Sequence, residues 1–302
     1  MMNKTTVDAP KFKSVKKAER RSTIIGYITL VVMSIIWLYP IVWIILNAFR
    51  TEFNDQGQLI GIVVSNYIPK AFGFNNFVNL YTTTNFPKWF MNTLFVATFS
   101  FIISTFMTLS VAYVMSKLKF NARKKLLNVA IILGLFPGFM SIIAIYYILK
   151  AMNLTQTLFA LILVYSAGSG LGFYVAKGFF DIIPNSLLES ARLDGATNFQ
   201  IFLKIILPIS KPIIIYTALL SFTGPWMDFI FARVILGETN SQLHTVAVGL
   251  YTMLYGSQST VDPNRFTMFA AGSVIVAIPI VTLFLSMQKY YIEGVTSGAV
   301  KG

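Results

Sequence analysis

The sequence predicts an all-α membrane protein with six transmembrane helices. Three observations carry this reading. Of 302 residues, 56% are hydrophobic and only 12% charged, against about 25% charged in a soluble globular domain. Six apolar runs reach roughly 20 residues, the length that crosses about 30 Å of hydrocarbon. Lys and Arg are unequally shared between alternate connections, the asymmetry that orients membrane helices.

The six runs are residues 24–46, 90–115, 127–149, 156–176, 213–236 and 266–287. The first follows a basic stretch, Lys16-Lys17-Ala18-Glu19-Arg20-Arg21, as a secretory signal would. Its apolar core is too long for a signal and no small-residue cleavage site follows, so it reads as an uncleaved span. Ser166-Ala167-Gly168-Ser169-Gly170 interrupts the fourth run. The resulting organisation is a tail (1–23), a first span (24–46), an extracytoplasmic segment (47–89), a core (90–287) and a second tail (288–302).

Net charge is +13. Eighteen of the 24 Lys and Arg lie in the N-terminal tail, the second-to-third loop, the fourth-to-fifth loop and the C-terminal tail; six lie on the other side. This split puts both termini in the cytoplasm. It also accounts for the basic balance without nucleic acid. On the far side, residues 50–89 and 237–265 are long and rich in polar residues. They are either ligand- or partner-touching segments or solvated connections.

The absence of cysteine excludes disulfides, thiol catalysis and Cys-based zinc sites. The single histidine, His244, excludes a His-rich metal site. No Gly-x4-Gly-Lys-Ser/Thr loop occurs, so ATP is not bound by that route. A membrane enzyme would need a titratable cluster inside the spans. An ion-coupled transporter would want intramembrane carboxylates. Beyond Asp228 and the span-end Arg233, the runs offer almost nothing.

The fourth-to-fifth loop, 184–208, is the most informative stretch. Pro184 and Asn185 offer a helix start, and Asp194-Gly195 a turn that ends that helix. In a second short helix, Phe199, Phe202, Leu203 and Ile206 fall at i, i+3, i+4, i+7 on one face, with Pro208 as its close. Periodicity leaves two readings open: a docking knob for a cytoplasmic partner, or an amphipathic helix lying on lipid.

The loop resembles the EAA signature of bacterial ABC-importer permeases. Glu189, Ala191, Gly195, Ile205, Leu207 and Pro208 stand at the signature positions, and Asp194-Gly195-Ala196, Phe199 and Phe202 match its sugar-importer version. Ser190 departs from the usual Ala. The run 222–229 (Phe-Thr-Gly-Pro-Trp-Met-Asp-Phe), the run 245–250 and the Gly-rich ending resemble the maltodextrin-type (MalG-like) carbohydrate branch. The resemblance implies the type I ABC importer permease fold, in a bacterial cytoplasmic membrane. It implies that 184–208 forms a coupling helix seated on a separate ATPase. Val300, Lys301 and Gly302 would reach into the ATPase dimer. Tyr255, Gly256, Ser257 and Gln258 would face the binding protein. The implied partners are a second homologous permease (MalF-like), two ATP-binding subunits that hold the ATP and Mg, an extracytoplasmic sugar-binding protein and an oligosaccharide. This chain itself would bind no cofactor. A different glycoside, such as a raffinose-type sugar, stays open as substrate.

Within the runs, Gly224, Pro225, Trp226 and Asp228 are pore or gate candidates. Asp228 either lines a pore or pairs across a subunit interface, or it pairs with Arg233. Gly224-Pro225 and Phe136-Pro137-Gly138 are expected to kink their helices. Gly168 and Gly172 suit close helix packing.

Overall fold

The computed structural model describes residues 12–53, 66–135, 138–167, 172–256 and 263–296. Helices α1 (Phe12–Ala48), α2 (Asn75–Thr83) and α3 (Phe86–Lys117) come first. Next are α4 (Arg123–Gly134), α5 (Gly138–Ala151), α6 (Leu158–Ala167) and α7 (Gly172–Ile182). A short arm follows: α8 (Asn185–Leu193), α9 (Asn198–Ile201), a π turn (Phe202–Ile206) and α10 (Leu207–Ile209). Then come α11 (Lys211–Met227), α12 (Ile230–Leu236), α13 (Val246–Tyr255) and α14 (Pro263–Thr296).

Among the described residues, four helices are long and apolar enough to cross a membrane: Glu19–Ala48, Phe86–Lys117, Leu158–Ile182 and Arg265–Lys289. Six is reached if each of two bent pairs counts as one span. The first pair, α4 and α5, bends by 103°. A break was expected here, and Phe136 and Pro137 themselves lie outside the described residues. The second pair, Asn198–Ile209 (the second half of the arm) and α11, bends by 88° around Ser210.

The run 213–236 is not one kinked helix. The helix continues through Gly224-Pro225 and ends at Met227; it restarts at Ile230. Proline disrupts bonding to the preceding turn, yet Asp228 N–H still reaches Gly224 O at 3.1 Å. The break therefore falls after Met227, where Asp228 caps the new helix that starts at Ile230.

α3 is the axis of the fold. Its buried residues run from Phe86 to Ser116, and three cores lie along it. Near Phe86, Trp89 and Phe86 pack with Ala48, Leu80, Trp226, Leu250 and Ala270. In the middle, Val96 joins Leu161, Ile235 and Val248. Near Lys117, Leu109, Ala112 and Tyr113 join Phe173, Phe180, Leu188, Ile201 and Phe202. By contrast, the apolar window of α1 buries nothing inside the chain. Such a surface needs lipid or another subunit to cover it.

Within the segment 237–265, residues 241–246 are packed against α3 rather than merely solvated. Trp89 Nε1 donates to Ser241 O at 2.7 Å, and Asn92 Nδ2 to Gln242 O at 2.8 Å and His244 O at 3.0 Å. Val246 N–H donates to Thr93 Oγ1 at 2.7 Å. At the foot of α1, Arg50 is fully buried and pairs with Glu52 at 3.1 Å. Its Nε donates to Asn47 Oδ1 at 3.2 Å, and its Nη2 to Asn66 O.

Candidate functional site: an arm and a membrane cavity

The arm is built by two local devices. α8 ends in a paired cap: Gly195 N–H donates to Arg192 O at 3.0 Å and Ala196 N–H to Ala191 O at 2.9 Å. This Schellman arrangement needs a left-handed residue after the helix, and Gly195 supplies it at φ +82°. α9 then starts in a capping box. Gln200 N–H donates to Thr197 Oγ1 at 3.3 Å, and Thr197 N–H to Gln200 Oε1 at 2.8 Å. The α9 cap has no counterpart in the sequence reading, although Thr197-x-x-Gln200 is the spacing that announces one.

The arm has two faces. Leu188, Ala191, Ile201, Phe202 and Ile206 are buried against α3 and α7. Polar clamps hold them there. Tyr113 donates to Asn198 O at 3.1 Å, and Lys117 Nζ donates to Ile183 O at 2.6 Å and Asn185 Oδ1 at 3.2 Å. The other face carries Leu187, Leu193 and Phe199, with Leu193 89% exposed. Glu189, Asp194 and Pro208 are exposed as well. Ala196, Ile205 and Leu207 are half-buried.

This corrects the expected stripe. Phe202 and Ile206 point inward, while Phe199 and Leu203 point out. The π turn supplies the reason: its i→i+5 bonding rotates side chains off the 3.6 period. Ala191 and Phe202 thus anchor the arm rather than project from it. Leu193, missed by sequence reading, is its most exposed large apolar residue. Nor does Pro208 close the helix, which runs on to Ile209. A groove of about 520 Å³ beside the arm is lined by Lys117, Lys119, Arg123, Glu189 and Arg192.

A second cavity, of about 540 Å³, lies within the helices. Ser104, Thr108, Tyr165, Tyr216, Thr217, Ser221, Gly224, Pro225 and Asp228 are among its lining residues. Asp228 does not pair with Arg233, which meets Glu238 instead. Asp228 caps α12, accepting from Phe231 N–H at 3.2 Å and Ala232 N–H at 3.0 Å. Tyr165 Oη donates to its Oδ2 at 2.5 Å. Both carboxyl oxygens thus take part in hydrogen bonds. Trp226 is 3% exposed and packs on Phe90 and Phe222, so it belongs to the core beside Phe86 and not to the cavity.

Phe229, which follows Asp228 in the chain, leads into a group of packed aromatic rings. Its ring lies 4.3 Å from Tyr251, which lies 4.6 Å from Tyr255. The Arg233 guanidinium sits over Phe229 and Tyr251, at 5.7 and 5.4 Å. Gly256 ends α13 at φ +53°. Ser257, Gln258, Val300, Lys301 and Gly302 lie outside the described residues.

The family described as binding-protein-dependent transport system inner membrane component matches residues 109–296, which hold the arm and most of the cavity's lining. The chain is 32% identical to the galactooligosaccharides transport system permease protein GanQ of Bacillus subtilis, over 92% of this chain and 95% of that protein. It is 32% identical to the maltodextrin transport system permease protein MalD of Streptococcus pneumoniae, over 96% and 99%. A solved bacterial ABC transporter that imports the acidic polysaccharide alginate has a chain of the same fold, with a TM-score of 0.76 at 20% identity, over 91% of this chain and 98% of that one. The chain belongs to the binding-protein-dependent transport system inner membrane component family, the membrane-spanning permeases of ABC importers.

Proposed function

We propose that this permease forms half of the translocation path of an ATP-driven importer for maltodextrin-type oligosaccharides. The observation that carries the mechanism is the two-faced arm. One face is locked to α3 and α7; the other presents Leu193, Phe199 and Glu189 to a partner. ATP and Mg bind the partner ATPase, and this subunit is the non-catalytic lever. With both termini in the cytoplasm, the arm lies on the ATPase side. ATP closes the ATPase pair, the arm moves with it, and α11 carries that motion to the cavity. A second permease completes the wall, and an extracytoplasmic binding protein delivers the sugar.

The sugar class is supported by relatives at equal identity, one named for maltodextrin and one for galactooligosaccharides. The second name keeps a galactose-built oligosaccharide as the other reading. Uptake of labelled maltotriose by vesicles holding the full complex, with galactooligosaccharides as competitors, decides between them. ATP-dependent uptake resisted by excess unlabelled maltodextrin alone is the expected result. Uptake by the purified chain without an ATPase overturns the lever.

A further inference from the structure

We propose that the groove between the end of α3, the start of α4 and the arm holds the phosphate headgroup of an anionic phospholipid. The inference rests on the membrane placement of the chain and not on its cargo. Position comes first. The apolar run 90–115 ends just before Ser116 and Lys117, and the run 127–149 starts shortly after Arg123. Ser116, Lys117 and Arg123 all line the groove. It therefore stands where the chain leaves hydrocarbon, on the cytoplasmic side by the Lys/Arg split.

Charge comes second. Around this space of about 520 Å³, Lys117, Lys119, Arg123 and Arg192 are cationic and Glu189 is the one acid in the lining. Asp181, which neighbours Ser116, is already answered. It accepts from Ser116 Oγ at 2.6 Å and pairs with Lys177 at 2.6 Å. Among the described residues, Lys119 and Arg123 make no ion pair. Lys117 Nζ is held by Ile183 O and Asn185 Oδ1, which fixes its charge in place. Topology alone asks only for basic residues somewhere in the connection, and Lys124 and Lys125 serve that end without lining the groove. Cations brought together around one space repel one another, and an anion between them relieves the repulsion.

The groove also has an apolar edge, made by Leu118, Phe120 and Leu188. Phe120 is 38% exposed. It offers a surface to the glycerol and first acyl carbons beside the charge, which a free anion would not use. The phosphodiester brings one negative charge and oxygens that accept from Lys and Arg. Basic pockets between membrane helices on the cytoplasmic side hold lipid headgroups by this chemistry, each cation near the surface being worth about fivefold in affinity. Arg192 and Asn198 of the arm share the groove with Lys117 of α3, so a headgroup seated there ties the arm to the axis helix.

The test is native mass spectrometry of the complete complex in neutral detergent, titrated with phosphatidylglycerol or with phosphatidylcholine. Wild type should bind phosphatidylglycerol at least about fivefold more tightly. Lys119→Gln combined with Arg123→Gln should abolish the preference, and Arg123→Lys should keep it. Lys124→Gln combined with Lys125→Gln removes the same charge from the same region outside the groove, and should also keep it. A preference unchanged in the groove pair, or lost equally in both pairs, overturns the site. Inorganic phosphate at equal concentration should leave the lipid bound; displacement would make the ligand a free anion and overturn the lipid. If the groove pair weakens ATPase binding and not lipid binding, a protein partner covers the groove and the proposal falls. If the groove pair does not assemble, Lys119→Gln alone, at an exposed position, gives the same reading.

Discussion

Gly249 packs on Trp89 so closely that a Cβ at Gly249 would lie 2.1 Å from the indole Cδ2. Trp89 cannot easily yield, because its Nε1 is fixed on Ser241 O at 2.7 Å. Gly249→Ala should therefore push α13 off α3. Overpacking of this kind costs about 1–3 kcal/mol. The expected outcome is a lower thermal midpoint for the detergent-solubilised complex. Gly249→Val should do more damage, and an unchanged midpoint in both variants would show that α13 can move freely.

Gly195 has open space around a hypothetical Cβ, so its requirement is conformational. A non-glycine residue in the left-handed region costs roughly 1–2 kcal/mol. Gly195→Asp should distort the turn between α8 and α9 and sever co-purification with the ATPase, while membrane insertion persists. Glu189→Lys and Leu193→Glu change only the outward face. Both should weaken ATPase binding at unchanged thermal stability of the isolated permease. Normal uptake in all three would remove the arm from the docking role.

Asp228 joins Tyr165 to α12. Asp228→Ala loses the helix cap, worth about 1 kcal/mol, along with the Tyr165 bond. Uptake should fall several-fold with assembly intact. Asp228→Asn keeps an acceptor and should retain most of the activity. Equal loss in Ala and Asn would point to the charge itself instead of the cap.

His244 is 1% exposed. Burial pushes its imidazole pKa down; the Gly237 backbone and Glu238 oppose this, and Arg233 adds to it. The unfolded chain then takes up a proton more readily than the folded one. Stability from this group is complete above the unfolded value of about 6.5 and is lost as pH falls through the folded value. The thermal midpoint should drop on acidification from pH 7.5 to 5.5, with a shallower drop in His244→Gln. Identical slopes would exclude His244 as the cause.

Much of this was legible in the residues alone. Apolar runs and the Lys/Arg asymmetry gave the membrane class, and Asp194-Gly195 marked the turn where φ is +82°. What stayed hidden depends on three-dimensional partners. The π turn at Phe202–Ile206 breaks the period on which face assignment rests. Tyr165 and Asp228 stand 63 positions apart, so their bond has no local signature. Hydropathy also merged α11 and α12, since an aspartate used as a cap barely lowers the average of a long apolar run. Gly249 looked like part of a motif; its reason is an indole more than 150 positions away.

The joint at Ser210 has a mechanical consequence. Asn198–Ile209, the second half of the arm, and α11 meet there at 88° with a single residue between them, and Ser210 is fully buried. α11 is 17 residues long, about 26 Å at 1.5 Å per residue. Under the lever reading proposed above, the joint works as a bell crank. Turning the short limb by about 10° swings the tip of the long limb sideways by roughly 4 Å, from that length. Gly224, Pro225 and Asp228 ride at that tip, so leverage alone converts a small shove at the membrane face into a displacement the size of a hydroxyl group or more.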